Sequence, residues 1–318
     1  MRVLTDISRL RTRRRPVVLA AGYFDGLHRG HREVIDRTLA RARRLGAEAW
    51  VLTFDNHPLK VLQPDRAPLL LTSNRHKLLL LSETDVDGCV MMPFTRALAR
   101  LEPEEFVRLL WRNVPRLCEI FVGDNWRFGR GRRGTPAQLE EWGRRLGFKV
   151  SIVEPVKRRG DAVSSSRVRA LLLAGDLREA ERLLGRPFSI LGTVVRGRSV
   201  GRRLGYPTAN LDPHNEVLPP CGVYAVRVRL HPGRRMEKAR AGVLNFGTRP
   251  TFATDRGARP AVEIHVLDLR RDLYGRDIEV FFLKKIRDER RFATARALSR
   301  RIALDIVQAR RILARRAT

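Results

Sequence analysis

Ten residues near the amino terminus carry the sharpest chemical signal in this sequence. Gly22-Tyr23-Phe24-Asp25-Gly26-Leu27-His28-Arg29-Gly30-His31 follows an apolar run and leads into an amphipathic one, with two imidazoles three positions apart. In an open α/β sheet such a strand-to-helix junction is where ligands bind, because strand ends and helix N-termini converge there. Free backbone N–H groups and the positive end of the helix dipole favour a phosphate. His28 and His31, with Gly30 permitting close backbone approach, could hold a nucleotide phosphate and stabilise charge on it during transfer. Two plainer readings stand beside this one: half of a metal site, or structural histidines in an ordinary glycine turn. Position at the carboxyl end of the first strand, without a nearby Cys or carboxylate cluster, favours the phosphate.

A second set of candidates lies in the carboxyl-terminal half. Gly201-Arg202-Arg203-Leu204-Gly205-Tyr206-Pro207-Thr208-Ala209-Asn210 is a basic, glycine-containing loop running into a proline-anchored turn, a pattern that also suits a simple hairpin connection. In Ala261-Val262-Glu263-Ile264-His265-Val266, period two puts Glu263 and His265 on one face and the three aliphatic residues on the other. A carboxylate so placed could accept the proton of a hydroxyl attacking ATP; an exposed polar strand face would look the same.

The elements that must position these residues are legible from periodicity. Val17 to Ala21, Ala49 to Phe54, Gly88 to Met92, Glu119 to Val122 and Lys149 to Val153 are short apolar runs bounded by turn residues, as buried strands are. Helix-like stretches separate them. In the first, Val34, Ile35, Leu39, Ala42 and Leu45 share a face and Gly46 supplies the stop. This alternation predicts a parallel, doubly wound sheet. Two short helices are expected at Ser165 to Leu173 and Asp176 to Leu184. Beyond them Val223 to Leu230, Ala261 to Leu269 and Ile278 to Leu283 suggest a small antiparallel barrel. A final helix carries Leu298, Ile302, Ile306, Ala309 and Leu313 on one stripe. The expected domains are residues 1–185 and 186–318.

Composition narrows the class of function. Across 318 residues, 43% hydrophobic and 31% charged content suits folded domains, and 64 Lys+Arg against 34 Asp+Glu leaves a net charge of +30. Such a surface attracts polyanions or phosphorylated ligands. Nucleic acid is an obvious partner by charge, yet the basic residues recur in short clusters throughout, with no RNA-binding aromatic signature and no zinc-finger spacing. They comprise 57 arginines and 7 lysines, a bias that a G+C-rich coding sequence produces by itself. The odd set Cys89, Cys118 and Cys221 has no C-x-x-C spacing, which argues against a disulfide framework or zinc site and fits a reducing cytoplasm. No apolar segment approaches the ~18 residues of a membrane span.

The motifs resemble a known family. Gly22 to His31 is similar to the H-x-G-H signature of the nucleotidyltransferase superfamily, and its fuller form F-D-G-x-H-x-G-H resembles bacterial bifunctional riboflavin kinase/FMN adenylyltransferase. Thr53-Phe54-Asp55-Asn56-His57-Pro58 resembles the family's T-F-E-P-H-P, with Asp55 and Asn56 as departures. Val122 to Gly129 and Ser164 to Arg169 match two further segments. Pro207-Thr208-Ala209-Asn210 resembles the riboflavin kinase P-T-A-N motif, and Glu263, His265 and Asp268 its E-x-H-x-x-D. Further matches are Gly247 to Phe252, Leu273 to Gly275 and Leu283 to Glu289.

The resemblance implies a Rossmann-like nucleotidyltransferase domain followed by a riboflavin kinase-like barrel with a terminal helix. It implies that His28 and His31 contact ATP phosphates, within a nucleotide site that includes Gly22, Phe24, Asn125, Ser164, Ser165, Ser166 and Arg169. The serine run is also a natural helix N-cap, which uses the same donors. In the second domain Glu263 would be the general base. Thr208 and Asn210 would supply neutral oxygens suited to Mg²⁺, Arg202 or Arg203 could contact phosphate, and Arg202 and Gly205 would belong to the nucleotide site. The expected chemistry is phosphorylation of riboflavin to FMN and adenylylation of FMN to FAD, with ATP as co-substrate, no tightly bound transition metal and no membrane or nucleic-acid partner. An adenylyltransferase for another phosphorylated acceptor and a basic nucleic-acid-binding protein are the alternatives.

Overall fold

The computed structural model describes residues 1–12, 15–197, 205–234, 237–247, 261–269 and 271–315. They form two compact units: Met1–Leu69 with Lys77–Ser165, and Leu70–His76 with Ser166–Thr318.

The first unit is built on six parallel strands: β1 (Arg2–Leu4), β2 (Val17–Ala21), β3 (Glu48–Phe54), β4 (Gly88–Met92), β5 (Leu117–Gly123) and β6 (Lys149–Val153), in the order β1-β4-β3-β2-β5-β6. Strands covered on both faces read as continuous apolar runs, which is why five were legible from sequence. Only three residues long, β1 pairs Arg2 with Gly88 at the sheet edge and is too short for a periodic signal. Successive residues of β2 feed opposite cores. Val17 and Leu19 pack with Phe106 and Leu110 of the helix Pro103–Asn113, whereas Val18 and Ala20 pack with Ile35 and Leu39 of α1 (Arg29–Leu45).

The helix α1 ends at Gly46, whose φ of 59° suits a left-handed cap. Leu45, expected on its apolar face, is instead exposed in this last turn, and Thr38 takes a buried place by returning its hydroxyl to the carbonyl of Val34 at 2.8 Å. Three further helices matter for the site: α2 (Pro58–Leu62), α3 (Asn74–Ser82) and α4 (Ser165–Ala174).

The second unit contains a closed antiparallel barrel of β9 (Ser189–Val195), β10 (Ala209–Pro213), β11 (Gly222–Arg229), β12 (Arg240–Gly247), β13 (Ala261–Val266) and β14 (Asp277–Arg287), numbered after a two-residue hairpin β7 (Lys157–Arg158) and β8 (Asp161–Ala162) in the first unit. The terminal helix Ala295–Ala314 lays Ala309 and Leu313 on Val223, Ala225, Val243 and Leu283 of the barrel's outer wall. Asp305 of that helix is buried and receives Arg287 and Arg301.

Residues 70–76 complete this unit from far away in sequence. His76 Nε2 lies 3.3 Å from Glu279 Oε1, Ser189 donates to the same oxygen at 2.9 Å, and Asn215 donates to His76 Nδ1 at 3.3 Å. The network is buried, and its polar groups are satisfied by one another as the interior requires.

Packing around Gly88 gives a test. A Cβ added there would enter the indole ring of Trp50, which is fully buried under the sheet. Gly88→Ala is expected to lower stability by about 1–3 kcal/mol, the usual cost of overpacking, measured by denaturant unfolding.

Candidate active sites

The turn between β2 and α1 is wound tightly. Phe24, Gly26 and Leu27 have φ of 56°, 77° and 41°. For Phe and Leu this left-handed region is unfavourable, so surrounding contacts must hold it. Phe24 is buried, with its ring against Gly22, where an added Cβ would come within 3.0 Å, and edge-on to His31 at 5.3 Å. The carbonyl of Tyr23 accepts from the Thr53 hydroxyl and that of Asp25 from the Ser165 hydroxyl, each at 2.9 Å.

The two histidines are one unit. His28 caps α1, its Nδ1 accepting from the His31 backbone N–H at 3.3 Å, and the rings stack with centroids 3.6 Å apart. A neutral His28 with Nδ1 as acceptor carries its proton on Nε2 and can donate from there. Burial holds His31 well below the usual imidazole range, and positive charge on Lys77 or on His28 would act in the same direction. Its Nδ1 is buried without a hydrogen-bond partner among the described residues. At Gly30 a Cβ would lie 3.2 Å from the His28 ring and 3.6 Å from the Val163 carbonyl, so the first turn of α1 packs closely against the segment leading to Ser164.

Gly22, Phe24, His28, His31 and Ser165 are thus gathered at one helix start. Asn125 stands exposed just after β5, Ser166 is exposed at the start of α4, and Arg169 is half-buried one turn further along. Asp55 fixes the end of β3, since its carboxylate accepts from the Phe94 N–H at 2.9 Å. His57 caps α2 and meets Tyr23 edge to face at 4.9 Å.

Lys77 was not anticipated from sequence. It is 1% exposed, donates to the Phe54 carbonyl at 3.1 Å and sits 3.9 Å from the Tyr23 ring centroid. Burial lowers its pKa to about 8, against the opposing influence of Asp25, Cys89 and Asp55. The available signal was its spacing: Lys77 precedes the buried Leu80 and Leu81 by three and four positions, on the inner face of α3.

In the barrel, register rather than a loop assembles the residues. Glu263 pairs with Asn210 of β10 on one side and with Asn245 of β12 on the other. Directly paired residues point to the same face with Cβ atoms ~4.5–5.5 Å apart, so a carboxylate lies between two carboxamides. Along β13, Val262, Ile264 and Val266 are buried while Glu263 and His265 are half-buried, as period two predicts. Val243, under the terminal helix, pairs with His265, which places this row on the outer wall. Asn245 was missed because pairing partners cannot be read from one strand.

His265 Nδ1 lies 2.8 Å from the Pro207 carbonyl and therefore donates to it, and the Tyr206 ring stands edge-on at 5.9 Å. Asn210 is buried, and a Cβ on Gly197 would run into its carboxamide. Thr208 lines a small pocket with Pro207, Ile264, Leu273 and Tyr274. Gly205 is exposed in a left-handed turn of φ 83°. Asp268 stands apart from the Glu263 row: its carboxylate is spent on Arg310 at 2.8 and 3.0 Å, a bond that holds it below the usual range. Arg202, Arg203 and the segment Thr248 to Phe252 lie outside the described residues.

Residues 10–167 match the FAD synthetase family and residues 184–313 the riboflavin kinase family. The bifunctional riboflavin kinase/FMN adenylyltransferase of Escherichia coli (strain K12) is 42% identical over 293 residues, 92% of this chain and 91% of that protein. The protein of the same description from Pseudomonas fluorescens is 37% identical over 314 residues, 99% of this chain and 98% of its own. A crystal structure described as a macrolide-efflux protein from Streptococcus pneumoniae has a TM-score of 0.82 and 28% identity, covering 97% of this chain and 98% of that one. The chain belongs to the bifunctional riboflavin kinase/FMN adenylyltransferase family.

The burial of His31 has a consequence for stability. Its folded pKa lies below the unfolded value near 6.5, so below that pH the unfolded chain binds a proton that the folded chain refuses. Stability is therefore expected to fall as pH drops below 6.5, with His31 contributing roughly 1.4 kcal/mol per pH unit. His31→Gln should remove that share of the slope in denaturant unfolding between pH 7 and 5. An unchanged slope would mean that His31 titrates alike in both states.

Proposed function

We infer that this chain converts riboflavin to FAD in two ATP-dependent steps. The observation that carries the inference is the presence of two chemically different sets of residues, one around the start of α1 and one on the wall of the barrel, in a chain of this family. We assign FMN adenylylation to residues 1–185 and riboflavin phosphorylation to residues 186–318.

In the first step Glu263 accepts the proton of the terminal ribityl hydroxyl as its oxygen attacks the γ-phosphorus of ATP, and ADP leaves. Asn210 and Asn245 flank the carboxylate and orient it. Thr208 and Asn210 would hold Mg²⁺. Two neutral oxygen donors, one of them a carboxamide cradled by Gly197 beside a carboxylate, suit a hard cation that keeps water and nucleotide oxygens as its other ligands. When bound, the metal offsets charge on the transferred phosphate. Arg202 and Gly205 are assigned to the nucleotide.

In the second step an FMN phosphate oxygen attacks the α-phosphorus of another ATP. The bond from that phosphorus to the bridging oxygen breaks, and pyrophosphate leaves. His28, donating from Nε2, and His31 stabilise charge on the α-phosphate beside the helix start. Gly22 and Phe24 shape the turn; Asn125, Ser164, Ser165, Ser166 and Arg169 are assigned to the nucleotide. Riboflavin, FMN, FAD and ATP are the proposed small-molecule partners. A cytoplasmic setting belongs to the same proposal, supported by cysteines that form no disulfide.

Chromatography of flavin products separates the two steps. Glu263→Gln is expected to reduce riboflavin phosphorylation by ~10² or more while FMN supplied directly is still converted to FAD. His28→Ala is expected to do the reverse, lowering FAD formation by ~10² or more with FMN formation retained. Parallel loss of both activities with a lower melting temperature would show that either residue is structural.

A further inference from the structure

An ammonium sealed in the interior is costly unless its partners replace lost water, and a methionine would fill the space of Lys77 without that cost. Yet Lys77 is buried, with one hydrogen bond, to the Phe54 carbonyl, and one face-on contact, to Tyr23. Its surroundings come from three strands adjacent in the sheet. Tyr23 and Asp25 follow β2, Phe54 and Asp55 close β3, and Cys89 lies in β4. Phe54 and Tyr23 lie at the carboxyl ends of their strands, where a sheet of this kind binds its ligand. Tyr23 opens the left-handed turn that carries Phe24 and Leu27, and the next helix start bears His28 and His31.

We propose that Lys77 is a positioning residue for nucleotidyl transfer: by joining the Phe54 carbonyl to the Tyr23 ring, it holds the Tyr23–Leu27 turn in the shape that presents His28 and His31. The proposal rests on the assignment of FMN adenylylation to this site. The ammonium has a second effect. It adds to the burial that keeps His31 unprotonated, with His28 acting in the same sense. The groups facing the ammonium are the carboxylates of Asp25 and Asp55, the Cys89 thiol, which burial pushes up to about 12, and the imidazole of His31. Because burial brings Lys77 down to about 8, its positive charge is complete below that pH and fades above it.

The test uses the full chain with FMN, ATP and Mg²⁺, and riboflavin phosphorylation as the internal control. Lys77→Met is expected to lower kcat for FAD formation by about 10²-fold, as loss of positioning does. KM values for FMN and ATP should stay within about threefold, and riboflavin phosphorylation should be unchanged. In the unsubstituted chain kcat for FAD formation should decline above about pH 8, and Lys77→Arg, whose charge persists, should abolish the decline. A wild-type rate that is flat from pH 7.5 to 9.5 would overturn the proposal without any variant having to fold. So would a Lys77→Met enzyme with normal kcat, or one that loses both activities together with its melting transition. A wild-type chain that makes FMN but no FAD from FMN would overturn the adenylylation assignment itself, and this proposal with it.

Discussion

A helix start can bind phosphate only if the chain delivers it to the edge of the sheet. Here that delivery depends on a turn whose Phe24 and Leu27 lie in the left-handed region. Nothing local favours such a conformation; it persists because Phe24 is buried over Gly22 and because two carbonyls of the turn are claimed by Thr53 and Ser165. Once the turn is set, the stacked imidazoles follow. His28 occupies the cap, His31 is one turn on, and two rings 3.6 Å apart in a buried setting cannot both be charged. The pair therefore carries at most one positive charge.

The barrel gathers its polar row by another route. Its polar row exists because three strands pair in a register that aligns Asn210, Glu263 and Asn245, while the alternate residues of β13 fill the interior. A slip of one residue would turn Glu263 inward and expose Val262 or Ile264, so the same hydrophobic demand that closes the barrel also fixes the carboxylate on the outer wall. His265 adds a tie to Pro207, bringing the loop before β10 against the same row.

Much of this was legible before any coordinates. Strands covered on both faces announce themselves as apolar runs, and His28, His31 and Glu263 stood out by residue type and spacing. What escaped has physical reasons. Lys77 belongs to a residue type that normally marks solvent, so its place on an inner face reads as an exposed position. Asn245 depends on which strand lies beside β13. Asp268 carries a plausible spacing yet spends its charge on Arg310, a choice made by the terminal helix 42 residues away. Residues 70–76 give no sign that they belong with strands more than 100 positions later, since neither periodicity nor composition encodes a partner so distant.

That last segment ties the order of synthesis to folding. His76 leaves the ribosome 203 residues before Glu279, an interval of about 10–40 s at typical elongation rates. Throughout that time Leu70–His76 must wait, its histidine without the carboxylate that will pair with it, while the strands of the first unit can already close into their sheet. The second unit thus joins a peptide made early to strands made late. Interrupting translation anywhere before β14 would strand the early segment without its final partner, leaving chaperones a nascent chain whose first unit can be native and whose second cannot yet exist.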